Sequence, residues 1–352
     1  MDKSILLEVL KSVKYPGFTR DIVSFGLVQN VVLSARTVAI HLSLTTADPN
    51  VPVLLKAEIE RVLLATGEFD SVVVEVALQQ PKKQPPSAPN AGTNRIPGVR
   101  HVVAVASGKG GVGKSTFAVN LACAIEQILA GSGRPERVGI LDCDIYGPSI
   151  PLMLGVDQRP VVEAEKIIPE ANFGVRIMSM GLLIDEETPV VWRGPMISNA
   201  INQFIHQVNW GELDVLVVDL PPGTGDAHLS LAQNIALDGA IIVTTPQPAA
   251  FTVARRGALM FGKVNVPLLG VVENMSYLED AKGKRQYLFG QGGGIRTAKD
   301  LHVDLLGEIP LDQNIREGGD TGVPIVVGQP ECKSAQAIFA IAGKILDKLS
   351  RS

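Results

Sequence analysis

Eight residues, Gly108-Lys109-Gly110-Gly111-Val112-Gly113-Lys114-Ser115, carry the strongest chemical signal in the chain. Glycines at 108, 110, 111 and 113 let backbone N–H groups converge on phosphate oxygens without interference from a Cβ, and the helix expected to follow adds the partial positive charge of its N-terminus. In this G-x-x-x-x-G-K-[ST] spacing Lys114 is the cation for the β- and γ-phosphates of a nucleotide, and Ser115, with Thr116 behind it, offers a hydroxyl to Mg²⁺. Two further places complete that chemistry. Asp219 starts Asp219-Leu220-Pro221-Pro222-Gly223-Thr224-Gly225-Asp226, where a carboxylate can hold a water of the Mg²⁺ and the Pro-Pro-Gly turn lets the Gly223 backbone approach a γ-phosphate. Asp142-Cys143-Asp144 adds two carboxylates, and Asp144 is assigned to orient the attacking water because Asp142 is nearer the sheet and the metal. The other reading of this pair is the start of the turn Ile145-Tyr146-Gly147-Pro148-Ser149.

These residues need a scaffold, and the apolar pattern supplies one. Val102 to Ala106, Val138 to Leu141, Val215 to Val218, Ala240 to Thr244 and Leu268 to Val272 are short apolar runs that alternate with helical segments. Strands apolar throughout are buried on both faces, as in a parallel sheet covered by helices. Ser107, Asp142, Asp219, Thr245 and Asn274 fall at or just past their carboxyl ends, where open α/β sheets bind ligands. A helix is expected from Thr116 to Leu129 and another from Ile295 to Leu301. The expected fold class is therefore α/β, a P-loop NTPase with a mostly parallel sheet covered by helices.

Residues 1–78 read differently. Helical patterns at Ile5 to Val13 and Val53 to Ala65, with strands at Val28 to Leu33, Thr37 to Leu44 and Val72 to Val76, predict a small α+β domain. The polar, Pro-rich stretch at 79–98 reads as a linker, and the nucleotide-binding domain is expected over 99–352.

The chain has 352 residues, 46% hydrophobic and 19% charged, with a formal net charge of −4. No basic surface for counterion release follows from that balance, so nucleic acid is not an expected partner. No apolar run of about 18 residues or more argues for a membrane span, and the start of the chain lacks the order of a secretion signal. A cytoplasmic location is expected. Three scattered cysteines, Cys123, Cys143 and Cys332, fit a reducing compartment, and the five histidines have no metal-ligand spacing.

Lys109, a second lysine inside the loop, together with Asp142-x-Asp144 and Asp219-x-Pro221-Pro222-Gly223, resembles the deviant-Walker ATPases that include MinD, ParA and nitrogenase iron protein. More closely, Val105 to Thr116, Asp144 to Ser149, Trp192-Arg193-Gly194-Pro195-Met196, Pro221 to Asp226 and Glu273-Asn274-Met275-Ser276-Tyr277 resemble the Mrp/ApbC iron–sulfur cluster carriers over essentially the whole chain. Residues 1 to about 78 look like the small domain that fronts many of them and also exists alone in iron–sulfur assembly factors. The resemblance implies Mg-dependent ATP hydrolysis and a homodimer that sandwiches ATP, with Lys109 of one subunit reaching the nucleotide of the other. It further implies that Asn274 bonds the adenine edge, and that iron–sulfur apoprotein clients or assembly factors are the partners.

The resemblance breaks where such carriers place a C-x-x-C pair, just after Asn-Met-Ser-Tyr. Here Leu278 to Gly290 contains no cysteine, and Thr45-Thr46 in the front domain is followed by Ala47 and not by cysteine. Clusters are usually held by four thiolates, so a bound iron–sulfur cluster is possible but its ligands are not evident. A different class of reading is a nucleotide-gated adaptor like MinD. The basic amphipathic pattern of Ile338, Ile341, Ala342, Ile345, Leu346 and Leu349 suits either a membrane surface or a last helix packed on the sheet. Gly290-Gln291-Gly292-Gly293-Gly294 reads as a second anion loop or as a connection before the next helix.

Overall fold

The structure is a computed structural model that describes residues 3–13, 22–23, 27–34, 36–44, 50–78, 95–144, 147–163, 166–182, 204–223, 232, 234–280 and 282–351. Most of the linker, Thr45-Thr46, the turn residues Ile145-Tyr146, Trp192 to Met196, Thr224 to Asp226 and His228 lie outside the described residues. The chain divides into two compact units, Met1–Ala88 and Pro89–Ser352.

In the first unit α1 (Lys3–Leu10) and α2 (Asn50–Leu64) cover one side of a three-stranded sheet of β1 (Val28–Ser34), β2 (Thr37–Leu44) and β3 (Ser71–Leu78). Strand β2 pairs antiparallel with β1 and parallel with β3, and α2 makes the crossover between the parallel pair. Leu6, Leu10, Val38, Ile40, Leu42, Leu55, Ile59 and Leu63 are almost fully buried in its own core.

The second unit is built on eight strands. In chain order they include β4 (Val99–Ser107), β5 (Val138–Asp142), β8 (Glu170–Asn172), β9 (Val175–Ser179), β10 (Leu213–Asp219), β11 (Gly239–Thr244), β12 (Leu268–Glu273) and β15 (Leu305–Glu308). Two small hairpins, β6 (Val161–Glu163) with β7 (Lys166–Ile168) and β13 (Leu278–Glu279) with β14 (Arg285–Gln286), stand apart from the sheet. The sheet order is β15-β12-β11-β4-β10-β5-β9-β8, parallel everywhere except between β8 and β9. Alternate residues of β4 serve opposite faces. Val103 and Val105 join a core beneath α3 (Lys114–Gly131) and α9 (Lys333–Leu349), whereas Val102, Ala104 and Ala106 join one beneath α5 (Pro248–Lys263). This two-sided burial is why the strand lacks polar alternation. The expected central strands all form, with ends that coincide with the expected ones or lie up to three residues from them. The outer strands β8, β9 and β15 and both hairpins had not been expected.

The last helix resolves one open reading. Ile338, Ile341, Ala342, Ile345 and Leu349 of α9 are at most 3% exposed and pack into the core above the sheet. The apolar face needed to lie on a membrane is thus already used, and none of the described helices is long and apolar enough to cross one. Ile345→Ala removes three buried carbons at a site with no exposure, and should lower the unfolding free energy of this unit by about 2–5 kcal/mol. Arg351→Ala at the exposed end should change it by less than about 0.5 kcal/mol. Calorimetric unfolding of the full chain checks both, and equal effects would contradict the packing.

Candidate functional site

The phosphate-binding loop leaves β4 at Ser107 and enters α3 at Lys114, the strand-to-helix context its mechanics need. Gly113 stands before the helix with φ 76° and ψ 31°, a left-handed conformation open to glycine. A side chain there would also strike the Asn274 amide, and one at Gly108 would collide with the backbone of Val253 and Ala254 in α5. The loop is therefore pressed between two neighbouring elements. Ser107 ties its start, donating from Oγ to Lys109 O at 3.0 Å, and its own carbonyl accepts from Gly223 N at 3.2 Å. That second bond sets the Pro221-Pro222-Gly223 turn beside the loop.

At the centre lies a buried cluster. Lys114 Nζ is 2.6 Å from Asp219 Oδ1, with the lysine side chain 5% exposed and the aspartate 0%. Ser115 Oγ donates to Asp219 Oδ2 at 2.6 Å, and Lys114 Nζ lies 3.1 Å from Ser115 Oγ. The lysine contact at Oδ1 is an ion pair without hydrogen-bond alignment, so Oδ1 is buried and receives no aligned hydrogen bond. A buried carboxylate oxygen with spare acceptor capacity, beside a serine hydroxyl, fits a Mg²⁺ held directly by Ser115 and through water by Asp219.

Parallel register aligns the other carboxylates with this pair. Asp219 of β10 is opposite Asp142 of β5, which is opposite Ser179 of β9. Asp142 accepts from Ser179 Oγ at 2.9 Å and from the backbone N–H of Asp144 at 3.0 Å. Burial pushes the Asp142 carboxyl up to about 7, the Asp219 charge adds to the rise, and the bonds from Asp144 and Ser179 oppose it. Burial also raises Asp219, against the pull of Lys114 and Ser115. Asp144 itself is half-buried just beyond the strand, at the same edge.

The remaining expected residues gather around the loop. Lys109 Nζ donates to Gln247 Oε1 of its own chain at 2.8 Å, just before the first turn of α5. Asn274 is 8% exposed, and its Nδ2 donates to Val112 O at 2.9 Å while its Oδ1 accepts from Met275 N at 3.0 Å. One amide hydrogen of Asn274 is thereby committed to the loop. Val112 is buried, Thr116 half-buried at the start of α3, and Thr245 buried at the end of β11. Gly110 and Gly111 complete the loop, Gly111 with φ 77°.

One neighbour had been overlooked. Glu273 is 2% exposed, accepts from Ser276 Oγ at 2.7 Å and also from Gly294 N. A carboxylate closing an otherwise apolar strand was the available signal. Gly294 opens α6 (Gly293–Asp300), so Glu273 already fills the N-terminus that Gly290 to Gly294 would present as a second anion loop.

The thiols are far apart in character. Burial pushes Cys123 up to about 12, with Glu126 adding to it, and burial followed by the charges of Asp142 and Asp219 holds Cys143 well above the thiol range. Cys332 is half-buried, its Sγ accepting from Ala335 N at 3.4 Å at the start of α9. No group of three or more metal-ligating side chains occurs among the described residues. The β13–β14 hairpin follows Asn274-Met275-Ser276-Tyr277 directly, with Arg285 stacked 4.0 Å over the Tyr277 ring.

The buried carboxyl makes stability depend on pH. Folded Asp142 keeps its proton up to about 7, whereas the unfolded chain releases it near 3.8, so the folded state binds more protons in between. Stability due to this group is therefore greatest below that window and falls as pH rises through it. Asp142→Asn should flatten the decline between about pH 4 and 7, as read by urea unfolding at several pH values. Parallel curves for the two proteins would remove Asp142 as the cause.

Comparison with known proteins agrees with this architecture. The model of the NUBPL iron-transfer P-loop NTPase family matches residues 98–346, and that of an iron-sulfur cluster assembly protein matches residues 3–76. An iron-sulfur cluster carrier protein of Synechocystis is 44% identical over 98% of this chain and 97% of its own length. The iron-sulfur cluster transfer protein NUBPL of Mus musculus is 48% identical over 78% of this chain and 86% of its own. Among solved structures, the nucleotide-binding protein of Archaeoglobus fulgidus in complex with ADP superposes with a TM-score of 0.58 at 37% identity, over 68% of this chain and 92% of that one. MinD of Pyrococcus horikoshii with Mg-ADP gives 0.54 at 26%, over 72% and 97%. With the phosphate-binding loop, the sheet and the full-length relatives in agreement, the chain belongs to the NUBPL iron-transfer P-loop NTPase family.

Proposed function

We propose that this chain is an ATP-hydrolysing carrier that delivers iron–sulfur clusters to apoproteins and works as a homodimer. The observation that supports it most is the Lys114–Ser115–Asp219 constellation at the loop, in a chain aligned end to end with a protein named as a cluster carrier. In this reading Lys114 takes the β- and γ-phosphates, and the loop N–H groups from Gly108 to Ser115 hold the rest of the phosphate chain. Mg²⁺, held by Ser115 and by Asp219 through water, supplies charge that balances the phosphates. Asp144 orients the attacking water, while Asp142, two residues earlier at the end of β5, fixes the Asp144 backbone through its N–H. Asn274 gives its second amide hydrogen to the adenine edge. The cluster is cargo. This chain brings one half-buried thiol, Cys332, against the four thiolates a cluster usually takes, so most ligands come from the protein that donates or receives it.

Lys114→Ala should abolish hydrolysis and strongly weaken triphosphate binding, because it removes the buried cation that this reading aims at the β- and γ-phosphates. The same variant, mixed anaerobically with iron, sulfide and the apoprotein of a [4Fe–4S]-dependent dehydratase, should fail to speed its activation by ATP. Wild-type stimulation by the variant would defeat the coupling of ATP hydrolysis to carriage.

Lys109 completes the neighbouring subunit's site in this reading, like an arginine finger supplied in trans. Lys109→Ala and Asp144→Ala chains are each inactive alone, yet a mixed dimer holds one site with both the lysine of one chain and the aspartate of the other. Hydrolysis should reappear on mixing, once native mass spectrometry shows that subunits have exchanged. Silence after exchange would place Lys109 in its own subunit's site.

A further inference from the structure

The face that α5 and α6 turn to solvent has a charge unlike that of the chain as a whole. On α5 the exposed residues Arg255, Arg256, Leu259 and Lys263 follow the three- and four-residue spacing of one helical stripe. On α6 Ile295, Arg296, Lys299 and Asp300 are exposed in the same way. An ion pair between Arg255 Nε and Asp300 Oδ2, 3.2 Å long, joins the two helices side by side. Asp300 is the one carboxylate in the two helix sequences, against five cations, whereas the chain carries a net charge of −4. Between the cations Leu259 and Ile295 are 58% and 54% exposed. Such a surface repels other basic surfaces and offers two apolar anchors inside a positive rim.

The same helix is braced against the phosphate loop. Gly108 lies so close to the Val253 and Ala254 backbone that no side chain fits between them, and Gln247, just before the first turn of α5, holds Lys109. A partner seated on α5 therefore touches an element in direct contact with the nucleotide loop.

We propose that the exposed face of α5 and α6 is a docking surface for an acidic segment of a partner protein. Guanidinium forks at Arg256 and Arg296 suit carboxylates, which they bind with two parallel N–H···O bonds. An anionic bilayer is a poorer occupant, because the apolar sides of both helices, with Ala254, Ala258, Phe261 and Ala298, are buried and, among the described side chains, each helix leaves one well-exposed aliphatic group to insert. The proposal rests on the carrier reading only in taking the partner to be a client or assembly factor.

The test needs neither nucleotide nor cluster, so its failure leaves the ATPase and carrier readings untouched. A fluorescein-labelled helical peptide of Glu, Leu and Ala is titrated with the full-length protein at about 0.1 M salt, where charges are screened over about 10 Å. The variant Arg256→Glu/Lys263→Glu/Lys299→Glu should bind it about tenfold or more weakly and should gain affinity for the matching Lys, Leu and Ala peptide. A control with the same charge change elsewhere, Lys282→Glu/Lys284→Glu/Arg351→Glu, should stay within about twofold of the wild type. Unchanged circular dichroism and a cooperative thermal unfolding transition show that both variants are folded. Equal losses in both variants would mean that net charge alone draws the peptide, and no binding by the wild type would reject the surface. Sedimentation of the wild type with phosphatidylserine vesicles, without peptide binding, would assign the face to lipid and overturn the proposal.

Discussion

The rest of the site is arranged around a carboxylate that has no water to rely on. Asp219 is fully buried, and one ammonium, from Lys114, faces it together with one hydroxyl, from Ser115. Asp142 stands one strand away in the same register. A single lysine cannot balance two buried carboxylates, and desolvation penalises every uncompensated charge, so burial raises both acids above the usual carboxylate range, Asp142 to about 7. The arrangement also dictates what a ligand must bring. Phosphates that draw Lys114 toward themselves strip Asp219 of its counter-charge, and a buried carboxylate left alone costs several kcal/mol, on the order of 3–5. A cation arriving with the phosphates removes that penalty. The physical case for a Mg-nucleotide over a bare nucleotide thus follows from the burial of Asp219 as much as from the loop.

The sheet makes this cluster possible. Parallel strands deliver their last residues to one edge, and the register of β9, β5 and β10 sets Ser179, Asp142 and Asp219 in a row. Neighbouring elements then lock the loop from outside: Asn274 from the end of β12 bonds Val112 O, and α5 packs on Gly108. Glu273, beside Asn274, secures the next turn by binding Ser276 and the start of α6. The loop, the turn after β12 and two helices are therefore linked through short polar contacts, and displacement of one is felt by the others.

The parts that were readable in the sequence are those in which local pattern and tertiary role coincide. The strands β4, β5, β10, β11 and β12 are central, buried on both faces and so apolar at nearly every position, and the glycine loop carries its function in its own spacing. The outer strands escaped notice for the converse reason. In β8 the run Glu170-Ala171-Asn172 has no apolar character and becomes a strand only by pairing with β9, while β15 is a four-residue strand, Leu305–Glu308, at the far edge. Side-chain partners across the fold were also beyond local reading. Nothing near Lys109 points to Gln247, and nothing near Asn274 points to Val112, since those contacts join residues 138 and 162 positions apart. Nor does anything local mark the partners of the Glu273 carboxylate, Ser276 and Gly294, which come from the next turn and the next helix.

The scarcity of thiols bears on the proposed carrier role through kinetics as well as affinity. Cys123 is packed in the apolar core under α3, where a thiolate would have no solvation, and Cys143 lies among carboxylates, where a thiolate would add charge to a place that already holds too much. What a carrier requires, however, is release. A cluster bound by a full set of four thiolates from one dimer has to lose each bond to the recipient in turn, whereas one held by few ligands of the carrier leaves open positions that an incoming thiolate can take without first displacing another. On that reasoning a hairpin without cysteine does not contradict carriage. In the proposed reading the partner supplies most of the coordination, and the encounter surface and the nucleotide state of the loop are the elements that would control where the cargo goes.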